Sequence, residues 1–288
     1  MQVIHAAAHA VAEAPVWDAA SGTWLYVDIQ DDRVFRLDPA VGSVTSFGVG
    51  QQLSAALPSY DGGLLLVGER GLLRCARDGS GLTAFGEPIE DASSLRLNDA
   101  KVDSRGRLWV GSRDAEKRPL GRLVRVDPDA SVHVVLDGVA VSNGLGWSPD
   151  DRTFYWTDSG TRCVYAFDYD ADSGDVRRRR VFAAFPTDGP ALPDGLAVDA
   201  DGHVWVAHFR SGRVTRHDPD GALVSEQQLP TPLVASLAFG GPDGGDLLVT
   251  TGRYRLDEWG PERYPLSGSI FHDRPGVVGV PTYLFGSP

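Results

Sequence analysis

Long apolar runs are missing from this chain. No stretch approaches the ~18 apolar residues that suggest a membrane span. Met1 to Val11 has neither a basic start nor a sustained apolar segment, so no secretory leader is expected. Cysteine is scarce: Cys75 and Cys163 lie far apart in the sequence, with no metal-binding spacing, and a reducing compartment suits them as small apolar fillers. A cytoplasmic protein with no membrane partner is expected. Basic charge is also short, with 27 Lys and Arg against 39 Asp and Glu and a net charge of −12. Binding to a phosphate backbone needs a basic face, so nucleic acid is not an expected partner. Helical periodicity is absent as well, since apolar residues recur at period two. There is no serine nucleophile elbow, no phosphate loop and no dinucleotide fingerprint.

What the chain does have is 34 glycines and 19 prolines spread evenly, the punctuation of many short strands. One plan repeats. Asp194-Gly195-Leu196-Ala197-Val198-Asp199 leads through a turn to Gly202-His203-Val204-Trp205-Val206-Ala207. The stretches beginning at Glu13, Asn98 and Asn143 follow it. Aligning the apolar residues that head the turns (Trp17, Tyr60, Val102, Trp147, Val198 and Phe239) gives spacings of roughly 40 to 50 residues, the period of a four-stranded propeller blade. The fold predicted is all-β, a six-bladed β-propeller with a central metal site, forming one domain over residues 1–288. Sheet edges need partners, so Val3 to His9 or Gly279 to Phe285 is expected to close the last blade.

Four residues before each turn-heading position stand Glu13, Ala56, Asn98, Asn143, Asp194 and Ala235. Equivalent positions in a propeller face one another across the axis. The sequence therefore directs two carboxylates and two carboxamides to one opening, with alanines at the other positions. Oxygen ligands of this kind suit calcium, magnesium or manganese better than a thiolate-bound zinc. Taken singly, each polar residue is equally readable as a turn cap; the common register is what points to a shared site. Arg96, two residues before Asn98, lies on the same side of an extended strand, where it either holds a substrate oxygen or neutralises the acids.

Other polar groups read as structure. Asp168 to Gly174 echoes a calcium loop, but its glycine is one place late and Arg179 replaces the closing glutamate, so a hairpin turn is expected. Arg177 to Arg180 reads as a solvated strand edge. His5 with His9 lacks a nearby acid for a metal pair, and His208 is as readable as a packed histidine as it is as a channel residue.

The chain resembles the senescence marker protein/gluconolactonase/regucalcin family over nearly its whole length. The resemblance rests on Glu13-Ala14-Pro15-Val16-Trp17-Asp18, Arg96-Leu97-Asn98-Asp99-Ala100-Lys101-Val102-Asp103, Ser142-Asn143-Gly144-Leu145, Phe167-Asp168-Tyr169-Asp170 and Pro193-Asp194-Gly195-Leu196. It implies a six-bladed propeller that hydrolyses sugar lactones using one divalent cation: calcium first, with zinc, manganese, magnesium or iron as alternatives. By position, Glu13, Asn143 and Asp194 match the metal ligands, Arg96 and Asn98 the substrate contacts, and Glu116 a further contact found in some members. Asp194 also matches the general base, although a cation-activated water assisted by Asp194 serves equally well. Ala14 and Ala100 replace glycines usual in the family, and the segment from Arg113 to Leu120 is shorter than in some members. The expected partner is a small sugar lactone, acted on by a monomer or small homo-oligomer. The alternatives are a non-catalytic calcium-binding regulatory protein and a broader metal-dependent esterase.

Overall fold

The computed structural model describes residues 1–89 and 94–287. Its strands form six four-stranded antiparallel sheets around one axis. Blade 1 comprises Ala12–Asp18, Thr23–Asp28, Arg33–Asp38 and Ser43–Gly48, and blade 2 comprises Leu53–Pro58, Leu64–Gly68, Leu72–Cys75 and Thr83–Gly86. Blade 3 runs through Leu95–Val102, Leu108–Asp114, Gly121–Val126 and Val132–Val139, and blade 4 through Ser142–Trp147, Thr153–Asp158, Cys163–Asp170 and Asp175–Ala184. Leu192–Val198, Val204–Phe209, Arg213–His217 and Leu223–Gln228 make blade 5. Blade 6 takes Val234–Gly240, Asp246–Thr251 and Ile270–Asp273, and borrows Gln2–His5 as its outer strand.

Burial explains this order. The innermost strands are almost wholly buried, whereas outer strands such as Ser43–Gly48 and Leu223–Gln228 alternate or are exposed. Side chains on the two faces of each sheet pack against the neighbouring blades, so the core is divided among the gaps between blades. Trp109, Trp147, Phe154 and Tyr169, for example, fill the space between blades 3 and 4. The repeated step from aspartate to tryptophan has a direct cause. Trp109 Nε1 donates to Asp103 Oδ2 at 2.8 Å and Trp205 Nε1 donates to Asp199 Oδ2 at 2.9 Å, so each turn aspartate satisfies a buried indole of its own blade.

Closure follows one of the two expected routes. Val3 pairs with Phe271 and Gln2 with His272. The C-terminal segment adds no strand, contrary to the alternative expectation. It crosses the turn end of the channel instead. Val280 N donates to Val198 O at 3.0 Å, Phe285 N to Pro58 O at 3.0 Å, and Gly286 N to Gly106 O at 2.9 Å. Phe285 is 1% exposed. The channel is therefore capped at that end. Among the described residues, no helix is long and apolar enough to cross a membrane.

The remaining polar stretches behave as structure. Asp170 to Gly174 is a hairpin turn, with Gly174 N donating to Asp170 O at 2.8 Å. Arg178 and Arg180 pair with Asp168 on their own blade. His9 packs edge-on against Tyr26 and Phe35 beside Asp28. His208 is fully buried against Thr215 and Phe185.

Candidate active site

Every innermost strand breaks register once, at the same level. The breaks fall between Glu13 and Val16, Leu53 and Ala55, Leu97 and Ala100, Asn143 and Leu145, Pro193 and Leu196, and Val234 and Ser236. A bulge re-aims the side chain beside it, and six bulges at one height form a ring around the axis. Close approach of the strands requires glycine after two of the polar residues: a Cβ on Gly144 would lie 2.5 Å from Leu196 N, and one on Gly195 would collide with Ser236. Ala14, in contrast, sits at φ 46°, a left-handed conformation that costs an L-residue roughly 1–2 kcal/mol. An alanine at this position therefore strains the backbone.

Ala56 does not belong to this ring. Pro58 pairs with Leu64 as Val198 pairs with Val204, and Ser59 N donates to Gly63 O as Asp199 N does to His203 O. The turn-heading residue of blade 2 is therefore Pro58, and the ring position is Ser54; Ala56 lies in the apolar core between blades 1 and 2.

Glu13, Asn98, Asn143 and Asp194 are brought together, each 8–9% exposed. Asn98 Nδ2 donates to Asn143 Oδ1 and to Ser142 O, both at 2.7 Å. Asn143 Nδ2 donates to Ser159 Oγ at 2.7 Å, and Ser159 Oγ donates to Pro193 O at 2.5 Å. This chain of bonds fixes both amides and ties blades 3, 4 and 5 together. Glu13 Oε2 accepts from Ala14 N at 2.9 Å. Burial, and then the charge of Asp99, pushes the Glu13 carboxyl up to about 8. Asp194 is raised well above the ordinary carboxylate range by burial and then by Glu13 and Asp99. Buried like charges of this kind are costly without a counter-ion. A divalent cation among them would remove that cost, and the all-oxygen donor set suits a hard ion. The residues present fit such an ion.

Several neighbours escaped the sequence reading. Asp99 and Lys101 line a cavity of about 80 Å³ between the ring and the C-terminal cap, together with Trp147, Leu196, Phe239 and Tyr283. Lys101 Nζ donates to Leu196 O at 2.9 Å. Arg113 stands opposite Arg96 in the hairpin register, and its charge reaches Asp194 and Tyr254. Burial and then Arg113 push Arg96 down to about 10. The hairpin pairing, displaced by one residue at the bulge, is what sets Arg113 opposite Arg96. Glu116 is not brought against the others: its side chain is 74% exposed and faces Arg118 at 3.5 Å.

A second carboxylate group occupies the capped end. Ligand atoms of Asp199, Asp201 and His203 lie within 4.8 Å of one another. Asp199 is already committed, however, because its Oδ2 accepts from Trp205 and from Arg216 Nε at 3.0 Å and Nη2 at 2.7 Å. That trio is a structural ion-pair cluster.

Comparison with known proteins bears on the family and the fold. The family profile described as SMP-30/Gluconolactonase/LRE-like region matches residues 11–253. Regucalcin of Xenopus laevis is 36% identical over 285 residues, covering 96% of this chain and 95% of that protein. A pentonolactonase of Haloferax volcanii is 37% identical over 239 residues, covering 83% of this chain and 80% of its own. A solved structure described as a calcium-binding protein, regucalcin, from Agrobacterium tumefaciens superimposes with a TM-score of 0.92 at 27% identity, covering 99% and 97% of the two chains.

Proposed function

The chain belongs to the SMP-30/gluconolactonase/LRE-like family, and from that premise we propose that it hydrolyses sugar aldonolactones, with Glu13, Asn143 and Asp194 holding one divalent cation, calcium first among the candidates. The observation that carries the reading is the meeting of those three oxygen donors with Asn98 in one buried ring, next to two guanidiniums. The lactonase named among the relatives supports the same reaction class.

The bound cation would supply Lewis acidity to a lactone carbonyl. The protein's own groups do the rest. Asp194 takes the proton of the attacking water as its oxygen bonds to the carbonyl carbon. The ring C–O bond then breaks and the proton passes to the departing ring oxygen, leaving a hydroxyl and a carboxylic acid. No covalent enzyme intermediate is required. Asn98 commits its Nδ2 to Asn143 and Ser142, and its Oδ1 would accept from a sugar hydroxyl. Arg96 would donate to oxygens of the sugar ring. Glu116, on the rim, would meet only the outer part of a substrate.

A calcium-binding role without catalysis is the second reading, favoured by the description of the Agrobacterium tumefaciens structure. Arg96 and Asn98 argue against it, since a pure ion site has no use for them. The deciding experiment is a pH-indicator screen of several aldonolactones on metal-stripped protein refilled with one cation at a time. Hydrolysis should return with at least one cation and be lost in Glu13→Gln while the all-β circular dichroism persists. Tight calcium binding with no lactone opened by any refilled form would establish the binding-protein reading instead.

A further inference from the structure

Arg113 is a charged group at the mouth that the proposed reaction leaves unused. It is half-buried beside Arg96, and two guanidiniums held together in a partly dehydrated site repel each other. Among the described residues, neither side chain forms a hydrogen bond or ion pair, and Arg96 Nε is buried without a partner. The carboxylates nearby are otherwise engaged. Asp114 is gripped by Arg118 at 2.8 and 3.0 Å, and Asp99 has Lys101 for a counter-charge. Glu13 and Asp194 together match a divalent cation. Glu69 remains as the acidic neighbour of Arg96, so the mouth carries more guanidinium than free carboxylate.

We infer that Arg113, with Arg96 beside it, forms a subsite for an anionic group on the lactone, so that aldonolactones bearing a carboxylate, phosphate or sulfonate are preferred to neutral ones. The inference rests on the lactone reading above. The planar donor fork of arginine matches a carboxylate or phosphate through two parallel hydrogen bonds. A guanidinium placed only to neutralise Asp194 would behave differently: its loss would change cation affinity and leave the choice of organic ligand untouched.

Calorimetric titration in excess calcium tests this with three acyclic probes: a hexonate monoanion, a hexarate dianion and a 6-phosphohexonate. The wild-type protein should bind the two probes bearing a second anionic group about ten- to a hundredfold more tightly than the monoanion, the worth of one charged hydrogen-bonded pair. Arg113→Gln should bring that ratio close to one while monoanion binding stays within about threefold; Arg113→Lys should keep part of the preference. Comparing hexarate with 6-phosphohexonate identifies the favoured anion. A wild-type ratio near one, or a preference that survives Arg113→Gln, overturns the subsite. Hydrolysis of a neutral lactone separates the two ideas: turnover without anion preference sinks the subsite alone. If no lactone is opened, the reaction falls, and the binding ratio still decides the subsite.

Discussion

Replacing Asp199 with alanine separates a structural carboxylate from a metal ligand. The side chain is fully buried, and its two oxygens accept from Trp205 Nε1, Arg216 Nε and Nη2, and the backbone amides of Asp201 and His203. Truncation strands all five donors. Arg216, 18% exposed, would retain Asp201 at 3.8 Å. Breaking a buried ion pair from one side costs ~3–5 kcal/mol. Taking ~2.1 cal/mol/K per residue for the entropy of unfolding over 288 residues gives ~0.6 kcal/mol/K, so Tm should fall by about 5–8 °C. Far-UV circular dichroism melts in excess chelator measure it, and near-UV signals report the freed Trp205. A fall below about 2 °C, or one seen only when a divalent ion is present, would refute the reasoning and make the trio a cation site.

Two further outcomes follow from the packing. Phe285→Ala should cost ~3–5 kcal/mol through loss of the buried contact with Phe85, while calcium titration stays unchanged because the cap bonds to Pro58, Gly106 and Val198 and to none of the ring's oxygen donors; a large loss of cation affinity would show the cap and ring to be one unit. His208 is neutral in the fold, its pKa pushed down to about 3 by burial and then by Arg213 and His217. The unfolded imidazole gains its proton near ~6.5, so stability is full above that pH and drains as pH falls towards about 3. Between pH 6.5 and 5 this amounts to about 2 kcal/mol. Tm of His208→Gln should therefore drop about 3 °C less than wild type between pH 7 and 5, and equal slopes would contradict the assignment.

The blade period was legible because its markers are local. An aspartate that must satisfy a tryptophan of the same hairpin recurs at a fixed offset, as Asp103 with Trp109 and Asp199 with Trp205. Blade 2 has Ser59 in place of that aspartate, and Asp61 two residues later imitates it; the expected ring position consequently slid from Ser54 to Ala56. The path of the C-terminal segment was not legible. Its apolar residues read like a strand, but its hydrogen bonds go one or two at a time to separate blades, which no periodicity encodes. Arg113 was hidden for another reason. Its nearness to Arg96 is a property of the hairpin pairing, not of sequence distance. The backbone cost at Ala14 was equally unreadable, since a bulge sets φ and composition does not.

The outer strand of blade 6 is Gln2–His5, and its partner is Ile270–Asp273. On the ribosome these segments are made at opposite ends of a long interval. Blades 1 to 5 can each finish as they emerge, whereas Gln2–His5, synthesised before any of them, waits for blade 6. Until Ile270–Asp273 is out, Val234–Gly240 and Asp246–Thr251 lack their finished sheet, and the ring around Glu13 has a gap between its first and last members. The latch strand thus precedes the sheet it completes, and the ring of blades closes in one late step instead of blade by blade.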